Sequence, residues 1–284
     1  MTPLFWHCRD HCIEWGRRTL IMGILNITPD SFSDGGRYFS IEAALAGAEA
    51  LLQEGADILD VGGESTRPGS EPVSASEEME RVVPVIAALR RNFTCPISVD
   101  TYKAAVAEAA IEAGAAIVND ISGLTFDARM AGVVACSGAG VVIMHIRGTP
   151  RDMQKDPHYE DVTGEVGSWL AGQVALALAA GVEREQIVID PGLGFGKRLE
   201  DNFTLLRELD RLSDLGLPIL AGPSRKSFIG RVLDLPVGER VEGTAAAVTA
   251  AILHGARIVR VHDIKAVKRA ALIADAIRFG PGAS

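Results

Sequence analysis

No run of apolar residues in this chain approaches the roughly 20 needed to cross a bilayer. The amino terminus carries neither a basic stretch leading into an apolar one nor a small-residue cleavage site, so a cytoplasmic protein without a membrane partner is expected. Cysteine is scarce: Cys8, Cys12, Cys95 and Cys136 are too few and too scattered for a disulfide scaffold, and reduced thiols are expected. His7, Cys8, His11 and Cys12 offer soft metal donors, but crowded together rather than in the separated pairs a zinc site uses, so a plain amino-terminal segment is the preferred reading. Basic residues never form a block able to follow a phosphate backbone, and Lys+Arg 28 against Asp+Glu 37 leaves a net charge of −9, which argues against nucleic acid as a partner. Familiar motifs are missing too. Gly192-Leu193-Gly194-Phe195-Gly196-Lys197 is one residue short of a phosphate loop, Arg198 stands where Ser or Thr should follow, and the spacing also misses the dinucleotide fingerprint. With no Gly-x-Ser-x-Gly elbow and no His-Glu-x-x-His helix, covalent serine chemistry and zinc proteolysis lack support.

What is present is a rhythm. Aromatics are only 5% while hydrophobic residues reach 48%, a bias toward Ala, Val, Ile, Leu and Gly that suits buried parallel strands under small-residue helices. Apolar runs at 20–26, 57–62, 96–100, 115–119, 140–145, 186–190, 217–222 and 257–262 read as strands. Helical spacing fills 41–54, 74–91, 102–113, 127–137, 160–181, 199–214, 239–254 and 263–278. Gly55, Gly114, Gly138, Gly181, Gly216 and Gly255 each follow a helical stretch, where a left-handed backbone ends a helix. Strict alternation predicts an α/β protein, and eight units predict a single-domain (β/α)8 TIM barrel over residues 20–280. Residues 1–19 form an arm or hairpin and 281–284 a tail. A doubly wound open sheet is the rival; periodicity alone does not separate the two, so the choice rests on unit count and on where polar residues fall.

They fall at strand ends: Asn26, Gly62-Gly63-Glu64, Asp100, Asn119, His145, Asp190, Ser224-Arg225-Lys226, and Arg260 with His262. Singly, an Asp or Asn there can cap the next helix; in a barrel, together, they converge on the one rim where active sites are built. Asp100, Asp190, Asn119 and Lys226 on apolar walls suit a flat heterocycle whose edge alternates donors and acceptors. Arg67, Arg260 and His262 are, or can become, cationic, and barrels commonly hold phosphate near their last strands. Asn26 offers a neutral oxygen to Mg2+, which keeps several waters and completes its shell with substrate oxygens. The loops 27–40 and 63–73, rich in Gly, Pro, Ser and Asp, are long enough to suggest function.

The stretches Asn26-Ile27-Thr28-Pro29-Asp30-Ser31-Phe32-Ser33-Asp34-Gly35-Gly36 and Asp60-Val61-Gly62-Gly63-Glu64-Ser65-Thr66-Arg67-Pro68-Gly69 resemble the two signature loops of the dihydropteroate synthase family. Ser98-Val99-Asp100-Thr101, Asn119-Asp120, Met144-His145, Asp190 to Lys197, Ser224-Arg225-Lys226-Ser227 and Arg260-Val261-His262-Asp263 extend the likeness over residues 20 to 263. The resemblance implies a barrel that joins 6-hydroxymethyl-7,8-dihydropterin pyrophosphate to para-aminobenzoate and releases pyrophosphate. It implies that Asp100, Asn119, Asp190 and Lys226 hold the pterin, with Met144 packed nearby. Asn26, Arg67, Arg260 and His262 would serve the pyrophosphate and Mg2+. Phe32, Thr66, Pro68 and Ser227 would flank the aminobenzoate, where sulfonamides would compete, and Asp34 would help to close the site. Asp100, Lys226, Arg67, Arg260, His262 and Asp34 are the implied catalytic set. A homodimer is implied as well, and the Ala-rich 244–252 stretch is one surface able to supply a close helix contact. Two alternatives stand beside this: a folate-dependent methyltransferase feeding a corrinoid, which releases no pyrophosphate, and a non-catalytic pterin-binding paralogue. On this reading Asp190→Asn weakens pterin binding and Arg260→Ala mainly pyrophosphate binding.

Overall fold

The computed structural model describes residues 4–27 and 41–281. An antiparallel hairpin comes first, β1 (Leu4–Cys8) against β2 (His11–Trp15), turning at Arg9 with φ 58°. The alternating part follows: β3 (Leu20–Asn26), α1 (Ile41–Gln53), β4 (Ile58–Gly62), α2 (Ala75–Asn92), β5 (Ile97–Asp100), α3 (Ala104–Glu112), β6 (Ile117–Asp120), α4 (Met130–Ser137), β7 (Gly140–Met144) and α5 (Val162–Ala179). The last units are β8 (Ile187–Asp190), α6 (Leu199–Arg207), β9 (Leu220–Ala221), α7 (Ser227–Leu233), α8 (Val241–Leu253), β10 (Ile258–Val261) and α9 (Ile264–Phe279).

Strand order runs β8-β7-β6-β5-β4-β3-β10-β9, every pairing parallel, so strands joined by a crossover lie side by side without the order reversal of a doubly wound sheet. A parallel bridge between Ile189 and Ile219, with the Ile189 N–H donating to Pro218 O at 3.0 Å, joins the two ends. The sheet is thereby a (β/α)8 barrel, with its helices outside.

The period-2 alternation of a strand sorts each segment into two faces. Leu59, Val61, Ile97, Val99, Val118, Val141, Ile143, Ile187 and Ile189 share one buried cluster with the helices. The alternate positions Leu20, Met22, Ile58, Ile117, Val142, Val188, Leu220 and Ile258 form a second cluster inside the barrel. Two residues further along, those same inward rows read Asp60, Asn119, Met144, Asp190 and Arg260. The interior is thus apolar at the amino-terminal ends of the strands and polar at the carboxyl-terminal ends.

Trp6 and Cys8 of the hairpin join the inner cluster and cover its apolar end. Trp6 is fully buried, and its indole N–H donates to Gln186 O at 2.8 Å. Gly140 makes room for this contact: a Cβ there would stand 2.5 Å from Cys8 Sγ and 2.9 Å from Trp6 Nε1. Burial pushes the Cys8 thiol well up, so it stays protonated. Register pairs Cys8 with His11 and His7 with Cys12, which puts the four soft donors on opposite faces; no metal-holding group of His, Cys, Asp and Glu occurs among the described residues.

Helix ends follow local chemistry. Gly55, Gly114, Gly138, Gly181, Gly216 and Gly255 all have positive φ, the stop that the sequence pattern predicts. Ser74 caps α2, its hydroxyl accepting from Glu77 N at 3.1 Å. Ser74→Ala is expected to cost about 1 kcal/mol of stability, read as a lower urea midpoint at unchanged slope; an unchanged midpoint would dismiss the cap.

Candidate active site

The polar ends of β4, β5, β6, β8 and β10 meet inside one rim. At their centre lies Arg260, whose Nε donates to Asp60 Oδ2 at 2.5 Å and whose Nη2 donates to Asp100 Oδ2 at 2.6 Å. The same Asp60 oxygen accepts Asn119 Nδ2 at 3.1 Å. Asp60 is fully buried, Asn119 and Asp100 nearly so, and one oxygen on each carboxylate, Asp60 Oδ1 and Asp100 Oδ1, is buried without a protein partner. Burial raises the Asp100 pKa, Arg260 opposes it, and Asp60 and Glu78 add to the rise. One guanidinium is therefore shared between two carboxylates, which leaves one negative charge in excess when both are ionised, and the buried Oδ1 of Asp100 remains for an incoming N–H donor.

On the opposite wall, Asp190 Oδ1 accepts the Gly192 N–H at 2.7 Å. Burial pushes its pKa up to about 6, against the pull of that N–H and of Lys226, Lys197 and Arg260. Burial and Arg260 together push Lys226 down to about 7, while Asp190 and Asp100 hold it up. Its Nζ lies 3.8 Å from the centre of the Phe195 ring. Met144, Ile121, Ile146, Met153 and Phe195 form an apolar cluster at this end of the barrel. Carboxylates, an amide and an ammonium beside such a wall suit a flat ring with several N–H groups, whose bidentate bonds would return Asp100 and Asp190 to their ionised forms.

Beneath lies Lys197, whose Nζ contacts Gly192 O, Phe195 O and His145 Nδ1, each at 3.0 Å. Burial pushes it down to about 7. It ties the ends of the turn that carries both the Asp190 hydrogen bond and the Phe195 ring.

The third side is cationic. Ser224 Oγ bonds His262 Nδ1 at 2.9 Å and accepts the His262 N–H at 3.1 Å. Burial, then Arg260 and Arg225, push His262 down to about 3, so the ring is neutral here, although the sequence allowed it a charge. An anion alongside would reverse that balance. Arg225 holds Asp263 through two bonds, Nε at 2.9 Å and Nη2 at 2.5 Å. Arg67 is exposed on the loop after β4, close enough for its charge to weigh on His262. Thr66 and Pro68 sit on the same loop, and Ser227 is the exposed first residue of α7. The base of this loop is fixed where Glu64 accepts Tyr102 Oη at 2.5 Å and pairs with Lys103, which also reaches Glu78 at 2.5 Å. Farther out, Gly69 N donates to Pro150 O at 3.0 Å. Phe32 and Asp34 lie outside the described residues.

Asn26 ends β3 opposite Gly62. A Cβ built on Gly62 would be 3.6 Å from Asp100 Oδ2 and 3.8 Å from Asn26 Oδ1, so the missing side chain leaves a gap between those oxygens. A lone amide oxygen fits a hard cation that brings other oxygens with it, such as Mg2+ on a diphosphate, and does not suffice for a cation held by protein alone.

The strand-end pattern in the sequence brings Asp100, Asn119, Asp190, Lys226, Arg260 and His262 together. It passes over Asp60, although an aspartate inside an apolar strand is itself a signal, and over Lys197, set aside with the failed phosphate loop.

Comparison with known proteins adds the following. The model of the pterin-binding enzyme family matches residues 22–262. A dihydropteroate synthase of Synechocystis is 52% identical over 265 residues, spanning 93% of this chain and 92% of the relative. Among solved structures, the dihydropteroate synthase of Xanthomonas albilineans with 4-aminobenzoic acid matches at TM-score 0.92 and 43% identity, covering 99% of this chain and 100% of the other. That of Yersinia pestis with a sulfonamide drug matches at 0.91 and 41%, covering 97% and 99%.

Proposed function

Since this chain belongs to the dihydropteroate synthases of the pterin-binding enzyme family, we propose that the polar rim divides its labour between a pterin ring and a departing diphosphate. The reaction condenses 6-hydroxymethyl-7,8-dihydropterin pyrophosphate with para-aminobenzoate to give 7,8-dihydropteroate and pyrophosphate, a step of folate biosynthesis. The observation that carries the division is Arg260, bonded to Asp100 on the ring side and two residues before His262 on the phosphate side.

Asp100, Asn119, Asp190 and Lys226 take the pterin edge, with Met144 against its face. Arg67, Arg260 and His262 receive the diphosphate, and Asn26 would hold Mg2+. When bound, that ion supplies positive charge to the diphosphate oxygens. As the C–O bond to pyrophosphate lengthens, Arg260 and Arg67 neutralise the growing negative charge, and Asp100 and Asp190 stabilise the cationic character that spreads into the ring. The amine of para-aminobenzoate, oriented by Thr66, Pro68, Ser227 and Phe32, forms the C–N bond at the pterin methylene as the C–O bond breaks, and its proton leaves with the departing pyrophosphate. Asp34 and the loops exclude water, which would otherwise capture that carbon. Sulfonamides compete at the amine position. No protein nucleophile is required.

The decisive assay supplies pterin pyrophosphate, para-aminobenzoate and Mg2+ and follows pyrophosphate. Release that depends on the amine is expected, and its absence would remove the reading. Asp190→Asn preserves shape but sets an NH2 against ring donors, so pterin affinity is expected to fall roughly tenfold to a hundredfold, about 1.5–3 kcal/mol. Calorimetric titration with a 6-hydroxymethylpterin measures it, and a change below twofold would remove Asp190 from the ring contacts.

Residues 20–280 act as the catalytic barrel, with 1–19 as an accessory arm and 281–284 as a tail. A homodimer is supported by the exposed Ile273 and Ile277, 64% and 65% accessible on α9, beside exposed Leu272 and, on α8, Leu253. A cytoplasmic home is supported by four unpaired cysteines; no helix among the described residues is long and apolar enough to cross a membrane.

A further inference from the structure

Asp60 does not stand among the residues that would touch either substrate, yet it is the most deeply buried charge of the site. A carboxylate has no hydrogen to donate. Its Oδ2 therefore accepts only the NH2 end of the Asn119 amide, at 3.1 Å, and that same oxygen is pinned by Arg260 Nε at 2.5 Å. Turned by 180°, Asn119 would set its carbonyl oxygen against a carboxylate, both acceptors, in a fully buried place. An amide is otherwise free to choose either orientation, because its two ends have nearly the same shape. Asp60 removes that choice.

We propose that Asp60 is a positioning residue that sets the donor and acceptor order of the ring subsite by fixing the orientation of Asn119. With Nδ2 anchored below, Asn119 turns its carbonyl oxygen and its second N–H outward in one fixed order. A heterocycle with that order reversed meets two mismatches, the kind of discrimination hydrogen-bonding pockets make best. The layering supports the assignment. Register places Asp60 beside Ser98, one row below the Asp100 and Asn119 pair, so its side chain lies under the subsite rather than in it. Asp60 Oδ1 is buried without a partner, so an amide at position 60 can set its oxygen in the place of Oδ2, accepting both donors, and its NH2 in the place of Oδ1. The inference rests on the pterin reading of the site.

The test measures binding of unphosphorylated 6-hydroxymethylpterin by calorimetry to the full-length chain, its D60L, D60N and N119A variants and the D60L/N119A double variant. D60L is expected to weaken binding at least roughly tenfold, D60N to stay within about threefold of the parent, and D60L/N119A to lose clearly less than the sum of the two single losses, because no amide remains to orient and only the bond to Arg260 is still lost. Equal binding by D60L and the parent, additive losses in the double variant, or a D60N as weak as D60L would each overturn the inference. Failure of the parent itself to bind the pterin would instead overturn the functional reading. Should D60L not fold, D60S takes its place: it fits the space and leaves Asn119 unanchored, and parent-like binding by D60S would overturn the inference equally.

Discussion

Arg260→Ala is expected to eliminate most turnover and most pterin affinity together. The sequence reading places Arg260 on the diphosphate side, but its bonds to Asp60 and Asp100 make it the counter-charge of the ring subsite as well. Removing one member of a buried ionic group leaves the others uncompensated, at a cost of about 3–5 kcal/mol, equivalent to roughly a hundredfold to a few thousandfold. Asp100, whose pKa burial already raises, would then take up a proton more readily. A carboxyl whose pKa is higher folded than unfolded contributes stability that is present at low pH and lost as pH rises through the folded value. The Tm deficit of the variant should therefore widen as pH is raised from about 5 to about 8. Steady-state kcat/KM, pterin titration and thermal scans at several pH values check these points together. A variant that binds pterin like the parent and loses only its affinity for pyrophosphate would restore the narrower role.

Gly192→Ala should be the most damaging single methyl group near the site. A Cβ at this position would stand 1.8 Å from the carbonyl oxygen of His145, with φ at +69°. That carbonyl follows β7, where the His145 N–H donates to Asp190 O at 3.0 Å, so the obstacle belongs to the barrel wall. The turn can yield only by giving up the Gly192 N–H bond to Asp190 or the Lys197 bonds to its carbonyls. A loss of about 3 kcal/mol or more is expected, from strain and broken buried hydrogen bonds combined. Gly138→Ala is the matched control: φ is +68°, but nothing lies within 4 Å of the added carbon, so only the conformational cost of about 1–2 kcal/mol applies. Urea unfolding of both proteins decides the point, since equal losses would mean that backbone conformation alone, and not the His145 carbonyl, matters.

Much of the fold is legible because burial writes itself in aliphatic runs. The run 20–26 coincides with β3, 57–62 and 140–145 exceed their strands by one residue, and 257–262 by one at each end. The run 217–222 shrinks to Leu220–Ala221, flanked by Pro218 and Pro223, which lack the N–H a ladder needs. The helical stretch 199–214 breaks into α6 and a 3-10 turn, Leu209–Leu215. Ser227–Leu233 goes unread as a helix because it is too short to display a period. In the site, residues that end strands announce themselves by contrast with the apolar runs before them. Asp60 acts from below through Asn119 and Arg260, distant in sequence and brought within reach only by the closed barrel, while Lys197 braces its own turn and reaches His145 on the neighbouring strand end.

The Trp6 hairpin has a consequence for traffic. With the lower end of the cylinder stoppered by an indole, whatever enters must depart through the same doorway. Asp100, Asn119 and Asp190 sit at the bottom of this vestibule, whereas Pro68 and Ser227 stand at its threshold. On the ring assignment proposed above, the bicyclic substrate, carrying its diphosphate, is expected to be seated before its co-substrate, and pyrophosphate to clear the doorway ahead of the longer product.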